Sequence, residues 1–254
     1  MTNEPTAMFS AEPWSCTGAN GCGVLVLHGF TGNPSSMRGL AEVFGNAGFS
    51  VELPRLPGHG STVEDLVPTR WSDWLGAALQ TYDDLAARVG NVVVAGLSMG
   101  GTLTTAIGLD RPETAGLILI NAAVEPMAQE VRDLLRLMGE TSEVMAAIGD
   151  DIAKPGVTEG GNDATPIQAL LSLAEAGDVL TPRLGELSMP CLLLTSPQDH
   201  TVAPSASDFF VAHVKTSVER VSLERSFHVA TLDYDAALVE ASSLAFAQRV
   251  CGIS

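Results

Sequence analysis

Residues 92–101 read Val-Val-Val-Ala-Gly-Leu-Ser-Met-Gly-Gly. Three β-branched residues suited to a buried strand run straight into a glycine, a serine and two more glycines. Glycine weakens a strand interior, so it stands where the backbone needs an unusual conformation or a close neighbour. Residues from Met99 to Leu109 then read as a helix, stopped by Arg111-Pro112. The chain must therefore pass from strand to helix through a turn centred on Ser98. The residues two places to either side, Gly96 and Gly100, must be small, or their side chains would strike adjacent backbone. Such a turn leaves the serine hydroxyl clear at the carboxyl edge of a sheet, facing a helix N-terminus that favours negative charge. A plain turn of small residues is the competing explanation; the strand before it and the helix after it favour the functional one.

The flanking pattern supplies the sheet. Val24–Leu27 is a short apolar run of the kind a buried parallel strand shows. Asn33-Pro34 reads as a helix start, with Met37, Leu40, Ala41 and Phe44 following at helical spacing and Gly48 closing. "FSVELP" is the next strand. Trp71, Trp74, Leu75, Ala78, Tyr82, Leu85 and Val89 form a long stripe that Gly90 ends. "GLILIN" is another strand. From Ala122 to about Glu186 the alternation stops; this stretch reads as helical and then irregular. "PCLLLTS", a helix near Ser205–Val214, "VERVSL" and a helix from Asp235 complete the chain. The expected architecture is α/β: residues 1–254 as one domain, with a mostly parallel central sheet, helices on both faces and an insertion at residues 125–185.

Composition narrows the function. Thirteen basic against thirty acidic residues give a net charge of −17 in 254 residues. That field repels phosphate backbones and anionic lipid surfaces, so nucleic acid is not an expected partner and a neutral substrate fits better; solubility is the simpler explanation of the charge. No apolar run approaches the length of a membrane span, and residues 1–14 lack the basic and apolar regions of a signal peptide. No stable membrane anchor is expected. The four cysteines, Cys16, Cys22, Cys191 and Cys251, have no metal-ligand spacing. The expectation is reduced thiols in the cytoplasm, no metal and no cofactor. Whether Cys16 and Cys22 pair across a turn stays open at this level, and so does a homodimer.

A serine hydroxyl needs a base. The strand–G-x-S-x-G–helix arrangement resembles the nucleophile elbow of α/β-hydrolases, where the partners follow in the order serine, acid, histidine. Five histidines are available. His28 and His59 precede Ser98, and each lies in a glycine-containing loop. His213 falls in a predicted helix. His228 follows the last strand and precedes the last helix, from where a loop can reach over the sheet edge; it is the expected base. His200 directly follows Asp199 and should point aside. Asp199, in the loop after "CLLLTS", is the expected acid, fixing the imidazole tautomer; a helix cap is its competing role. Asp208 lies too deep in the following helix, and Asp233 and Asp235 fall after the histidine. The oxyanion hole calls for two backbone N–H groups, assigned to Met99 and to Phe30 in "LHGFTGN".

Taken together, "LHGFTGNPSSMRGLAEVFGNAGFSVELPRLPGHG", "GLSMGGTL", "INAAVE", "PQDHTVAP" and "SFHVATLDYD" resemble bacterial monoacylglycerol lipases and the related small carboxylesterases. The resemblance covers Gly23–Leu56 and most of the chain from Trp71 onward and is weakest across the insertion. It implies Ser98, Asp199 and His228 as a triad, Phe30 and Met99 as oxyanion donors, and a small helical cap at residues 125–185. In that cap Val131, Leu134, Leu135, Met138, Met145 and Ile148 form an apolar set. Either they wall an acyl chain, with methionine adapting to its shape, or they pack the cap onto the core. Glu159 aligns with a position that approaches the glycerol head in these lipases; otherwise it is a solvated loop glutamate.

The implied activity is hydrolysis of monoacylglycerols through an acyl-serine intermediate, on a small, lipid-like ester. The alternatives are a broad carboxylesterase for short to medium acyl esters, and a non-catalytic binding protein that kept the fold. Lysophospholipids fit the negative charge less well. Dehalogenases and epoxide hydrolases need an aspartate at position 98, and dienelactone hydrolases a cysteine.

Overall fold

The structure, a computed structural model, describes residues 10–253; the leader expectation for residues 1–14 thus falls largely outside the described residues. A seven-stranded sheet forms the centre. Its strands are β1 (Trp14–Cys16), β2 (Cys22–Leu27), β3 (Ser50–Leu53), β4 (Asn91–Leu97), β5 (Gly116–Ile120), β8 (Cys191–Thr195) and β9 (Val218–Ser222), ordered β1-β3-β2-β4-β5-β8-β9. β1 is antiparallel to β3, and every other neighbour pair is parallel. This edge strand goes beyond the sequence reading: three residues without alternation give no periodic signal, and pairing alone makes them a strand.

Alternate residues of the inner strands face opposite sides. Leu25, Leu27, Val92 and Val94 pack with Trp74, Tyr82 and Leu85 of α3 (Trp71–Ala86) and Leu103 and Ile107 of α4 (Met99–Asp110). Val24, Val26, Val93 and Ala95 pack with Leu40 and Phe44 of α1 (Arg38–Asn46) and Val239 and Phe246 of α8 (Ala236–Val250). Both faces are covered, which is why these strands carry near-continuous apolar runs. The Asn33 side chain accepts from Ser35 N–H as expected of a cap, although the first turn, Pro34–Met37, is a 3₁₀ segment that leads into α1.

The stretch between β5 and β8 differs from expectation. It holds α5 (Gln129–Gly139), a two-stranded pair of β6 (Val144–Ala146) with β7 (Ala164–Pro166), and α6 (Ile167–Leu180). The fourteen-residue α6 stands where the sequence reads as irregular. Its buried residues, among them Ala169, Leu171, Ala174, Ala176 and Gly177, fall on several sides, so no single apolar stripe marks it. The thiols are all free, and Cys16 does not meet Cys22. Cys16 Sγ instead faces the Phe49 carbonyl, and Cys22 lies beside Cys251.

The glycines of the strand–helix turn are a steric necessity. A Cβ on Gly96 would stand 2.1 Å from the Gly100 carbonyl oxygen, and one on Gly100 would stand 2.3 Å from that of Leu27. Both obstacles are backbone, which cannot swing aside. Gly76, within α3, has nothing within 4 Å of the same position. Gly100→Ala should therefore cost more than about 3 kcal/mol or prevent folding, while Gly76→Ala should stabilise the helix by up to about 1 kcal/mol. Thermal denaturation of the two variants checks this, and similar melting points would refute it.

Candidate active site

Five strands deliver their carboxyl ends to one region, as open α/β sheets do around their ligands. β4 ends in Ser98, whose backbone sits at φ 55°, ψ −117°, a conformation non-glycine residues rarely adopt. Hydrogen bonds hold it there. Ser98 N–H donates to the Ile120 carbonyl at 3.0 Å, and the Ser98 carbonyl accepts from Gly101 at 2.9 Å and from Thr102 and Ala123 at 3.2 Å. Thr31, Asn121 and Asp150 also have positive φ. Thr31 and Asn121 follow the ends of β2 and β5, so strained backbone gathers near this end of the sheet.

His228 and Asp199 meet. His228 Nδ1 lies 2.7 Å from Asp199 Oδ2, with both side chains nearly excluded from solvent. The other oxygen, Asp199 Oδ1, accepts from the N–H groups of Thr201 and Val202, each at 2.8 Å. Asp199 thus serves both as the turn's acceptor and as partner of the imidazole. With Nδ1 engaged, Nε2 is the ring nitrogen left for chemistry, and His228 and Ser98 line the same cavity. His200 does point aside: its side chain is 63% exposed, with Nδ1 2.8 Å from Asp151. His213 Nδ1 faces the Phe209 carbonyl on the surface, and the exposed Asp208 pairs with Arg220. Asp233 and Asp235 are loop staples. Asp233 accepts from the N–H groups of Ala153, Lys154, Phe227 and Tyr234, and Asp235 from Arg225 N–H and the Ser226 hydroxyl.

The loop after β2 runs beside the serine. A Cβ on Gly29 would lie 3.5 Å from that of Ser98. His28 shapes this loop: its Nδ1 faces the Gly29 carbonyl at 2.9 Å, and its Nε2 accepts from Leu56 N–H at 3.2 Å. Burial, reinforced by neighbouring His59, lowers His28 to a pKa of about 3, and burial lowers His59 to about 4. Both are neutral, structural imidazoles. The Phe30 ring rests against Trp74 at 5.3 Å between centroids. Among the described residues the Phe30 N–H donates to no protein acceptor. Met99 is the first residue of α4, so its N–H has no carbonyl within its helix to reach.

A cavity of about 600 Å³ opens at Ser98 and His228. Val131, Leu135, Met145, Ile148, Leu170 and Leu173 supply apolar wall from the segment between β5 and β8. The two uses weighed for the apolar set are divided between its members. Val131, Leu135, Met145 and Ile148 line the cavity, Met138 packs beside Leu135, Ile167 and Leu171, and Leu134 faces outward, 56% exposed.

Glu159 lines the same cavity and is only 5% exposed, so it is not a solvated loop residue. Its carboxyl fills the space above Gly32, where a Cβ would stand 2.2 Å from Oε1. Its carbonyl accepts from the Ser35 hydroxyl at 2.8 Å, and its N–H donates to Asp150. Burial raises the carboxyl from 4.5 to about 7, against the opposing pull of the Ser36 hydroxyl and His228.

Two contributors escaped the sequence reading. Asn121 Nδ2 donates to the carbonyl of His228 at 2.8 Å, while its Oδ1 accepts from Ser196 N–H at 2.8 Å, tying the loops after β8 and β9 to the end of β5. Asp151 Oδ2 accepts from the backbone N–H of His228 at 3.2 Å. The asparagine at the strand end in "GLILIN" is the one local signal for the first; the second has none, because its partners lie 49 and 77 residues away.

Comparison with known proteins bears on the fold and the family. Residues 24–241 match the model of the alpha/beta hydrolase family. The chain is 38% identical over 254 residues to a thermostable monoacylglycerol lipase of Bacillus sp. (strain H-257), covering 99% of this chain and 100% of that one. It is 24% identical over 238 residues to a carboxylesterase of Bacillus subtilis (strain 168), covering 89% and 92%. A solved structure from work on the metagenome-derived lipolytic enzymes LipS and LipT superposes with a TM-score of 0.89 at 36% identity, over 96% of this chain and 100% of that one. On fold, turn and these matches together, the chain belongs to the alpha/beta hydrolase family.

Proposed function

We propose that the chain hydrolyses monoacylglycerols, with Ser98 as nucleophile, His228 as general base, Asp199 as its orienting acid, and the N–H groups of Phe30 and Met99 as the oxyanion hole. The observation that carries the substrate class is Glu159, one buried carboxyl in the wall of an otherwise largely apolar cavity that opens at Ser98. Ser98 Oγ attacks the ester carbonyl as His228 Nε2 takes its proton, and Asp199 stabilises the imidazolium. The carbonyl oxygen becomes an oxyanion held by the two N–H groups. Collapse breaks the ester bond, and His228 returns the proton to the departing glycerol oxygen. Water, deprotonated by His228, then attacks the acyl-serine; collapse releases the fatty acid as His228 returns the proton to Ser98 Oγ. The segment from residue 125 to 185 serves as a cap whose apolar side chains receive the acyl chain, and Glu159 accepts from the glycerol hydroxyls. The likeness to a lipase that acts on monoacylglycerols supports this reading.

No helix among the described residues is long and apolar enough to cross a membrane. The free cysteines fit a reducing compartment, and the reading places the enzyme in the cytoplasm, taking up substrate without an anchor. A non-catalytic role on the same fold predicts no covalent labelling by a fluorophosphonate.

Three outcomes test the proposal. Ser98→Ala and His228→Ala should each lose several orders of magnitude in kcat and Ser98→Ala should lose fluorophosphonate labelling, while His200→Ala keeps the wild-type pH profile. The reverse pattern for the two histidines would move the base to His200.

At pH 8, where the carboxyl is ionised, Glu159→Ala should lower kcat/KM for a monoacylglycerol relative to a p-nitrophenyl ester, each lost hydrogen bond to the charged acceptor being worth roughly 1.5–3 kcal/mol. The ratio cancels general damage to the triad. Equal loss on both substrates would make Glu159 a support of the cap, and no loss on either would favour the carboxylesterase reading.

Glu159 also links stability to pH. Between pH 4.5 and about 7 the folded protein keeps a proton that the unfolded chain releases. Stability therefore falls as pH rises through that window, and the cost is fully expressed above it, at roughly 3 kcal/mol. Glu159→Gln should be more stable than wild type at pH 8, with the gap closing towards pH 4.5. Unfolding midpoints at both pH values would show a constant gap if the carboxyl were solvated.

A further inference from the structure

Asp150 and Asp151 are adjacent, and their carboxylates serve different parts of the site. Asp150 adopts φ 58°. Its carboxylate accepts from the Thr158 hydroxyl and from the N–H of Glu159, holding the turn that presents Glu159 to the cavity. Asp151 Oδ2 accepts from the N–H groups of His200 at 3.0 Å and His228 at 3.2 Å, and Oδ1 faces His200 Nδ1 at 2.8 Å. The Asp151 carbonyl accepts from Val229 N–H at 3.1 Å. One residue of the segment between β5 and β8 therefore grips the loop of Asp199 at its next residue and the loop of His228 on both sides of that residue's carbonyl.

The Asp151 side chain is 16% exposed. Burial alone would push its carboxyl up, but the hydrogen bonds from His200 and His228 prevail and hold it below the usual carboxylate range. It is an anion at neutral pH, and its hydrogen bonds are charge-assisted. Around His228 stand Asp199 at the ring, Asp151 at the backbone and Glu159 across the cavity. His200 lies beyond Asp151, Asp233 holds Phe227 N–H, and Glu125 sits elsewhere on the cavity wall. Of these, Asp199 fixes the orientation of the imidazole and Asp151 fixes the position of the backbone that carries it.

We propose that Asp151 is a positioning residue for the ester-hydrolysis reaction: by binding the backbone of His228 and of His200, next to Asp199, it couples the placement of the cap to the alignment of the base with Ser98. This rests on the triad reading above. A nucleophile–base pair misplaced by about 1 Å loses roughly a hundredfold in rate, so the effect belongs in kcat and not in binding.

The test compares wild type with Asp151→Ala, Asp151→Asn and His200→Ala on a p-nitrophenyl ester, each normalised by active-site titration with a fluorophosphonate. Asp151→Ala should lower kcat per titrated site by roughly 10- to 100-fold with KM nearly unchanged. Asp151→Asn keeps an acceptor in place for the two N–H groups, so it should recover most of kcat. His200→Ala should match wild type.

Wild-type kcat per site in Asp151→Ala, or a loss confined to KM, would overturn the proposal. So would Asp151→Asn proving as slow as Asp151→Ala, or His200→Ala reproducing its loss. If Asp151→Ala fails to fold, Asp151→Ser, whose shorter side chain cannot reach both N–H groups, takes its place, and wild-type kcat per site there would overturn the proposal. Activity surviving in His228→Ala would instead overturn the triad reading, and this inference with it.

Discussion

Backbone packed on backbone at the strand–helix turn is the constraint on which the site depends. The Gly96 and Gly100 positions press against main-chain atoms of Gly100 and Leu27 at distances no Cβ tolerates. That contact lets α4 leave β4 within one residue and forces Ser98 into a left-handed conformation. It also draws the loop after β2 alongside, so that Gly29 abuts Ser98 and Phe30 follows it. The strain at Ser98 is held by four backbone hydrogen bonds to β5, the following loop and the first turn of α4. The exposed Ser98 turn, the helix N-terminus beside it and the loop after β2 are thus consequences of one packing problem solved with glycine.

Three acids close to the site are treated differently by their surroundings. Asp199 is buried but receives two N–H groups and an imidazole. Asp151 receives two N–H groups and a second imidazole, and these overcome the cost of burial. Glu159 is buried with much less support, and burial lifts it to about 7. A carboxyl left poorly solvated in an apolar wall is costly to the fold. On the proposed reading, glycerol hydroxyls supply the donors that the buried carboxyl lacks.

The segment between β5 and β8 is bound into the site as well as lying over it. Its residues from Asp150 to Asn162 touch the loop after β2 through Thr31, Asn33 and Ser35, and the loop of His228 through Asp151 and Asp233. Glu159 and His228 are therefore joined by hydrogen bonds of one segment.

The sequence by itself determined the inner sheet and the turn that carries Ser98. Apolar runs such as Val92–Ala95 and Leu117–Ile120 have one stable destination, a buried parallel strand. The glycines around Ser98 permit one kind of turn. Chain order then singled out Asp199 and His228, since each falls in a loop after its own strand, and the structure brings that pair to 2.7 Å. Local pattern did not disclose β1, which exists only by pairing with β3, or α6, whose small buried residues face several neighbours at once. Nor did it disclose the surroundings of Glu159 and Asp151. Only the family resemblance singled out the glutamate in "GVTEGG", and nothing singled out the aspartate in "GDDIA". Burial against Gly32 in one case, and acceptance of N–H groups 49 and 77 residues away in the other, arise only when distant segments are packed together. Periodicity and turn chemistry act over a few residues and are legible in a string. The environment of a charge is set by whatever the fold places around it, and so only the tertiary structure decided it.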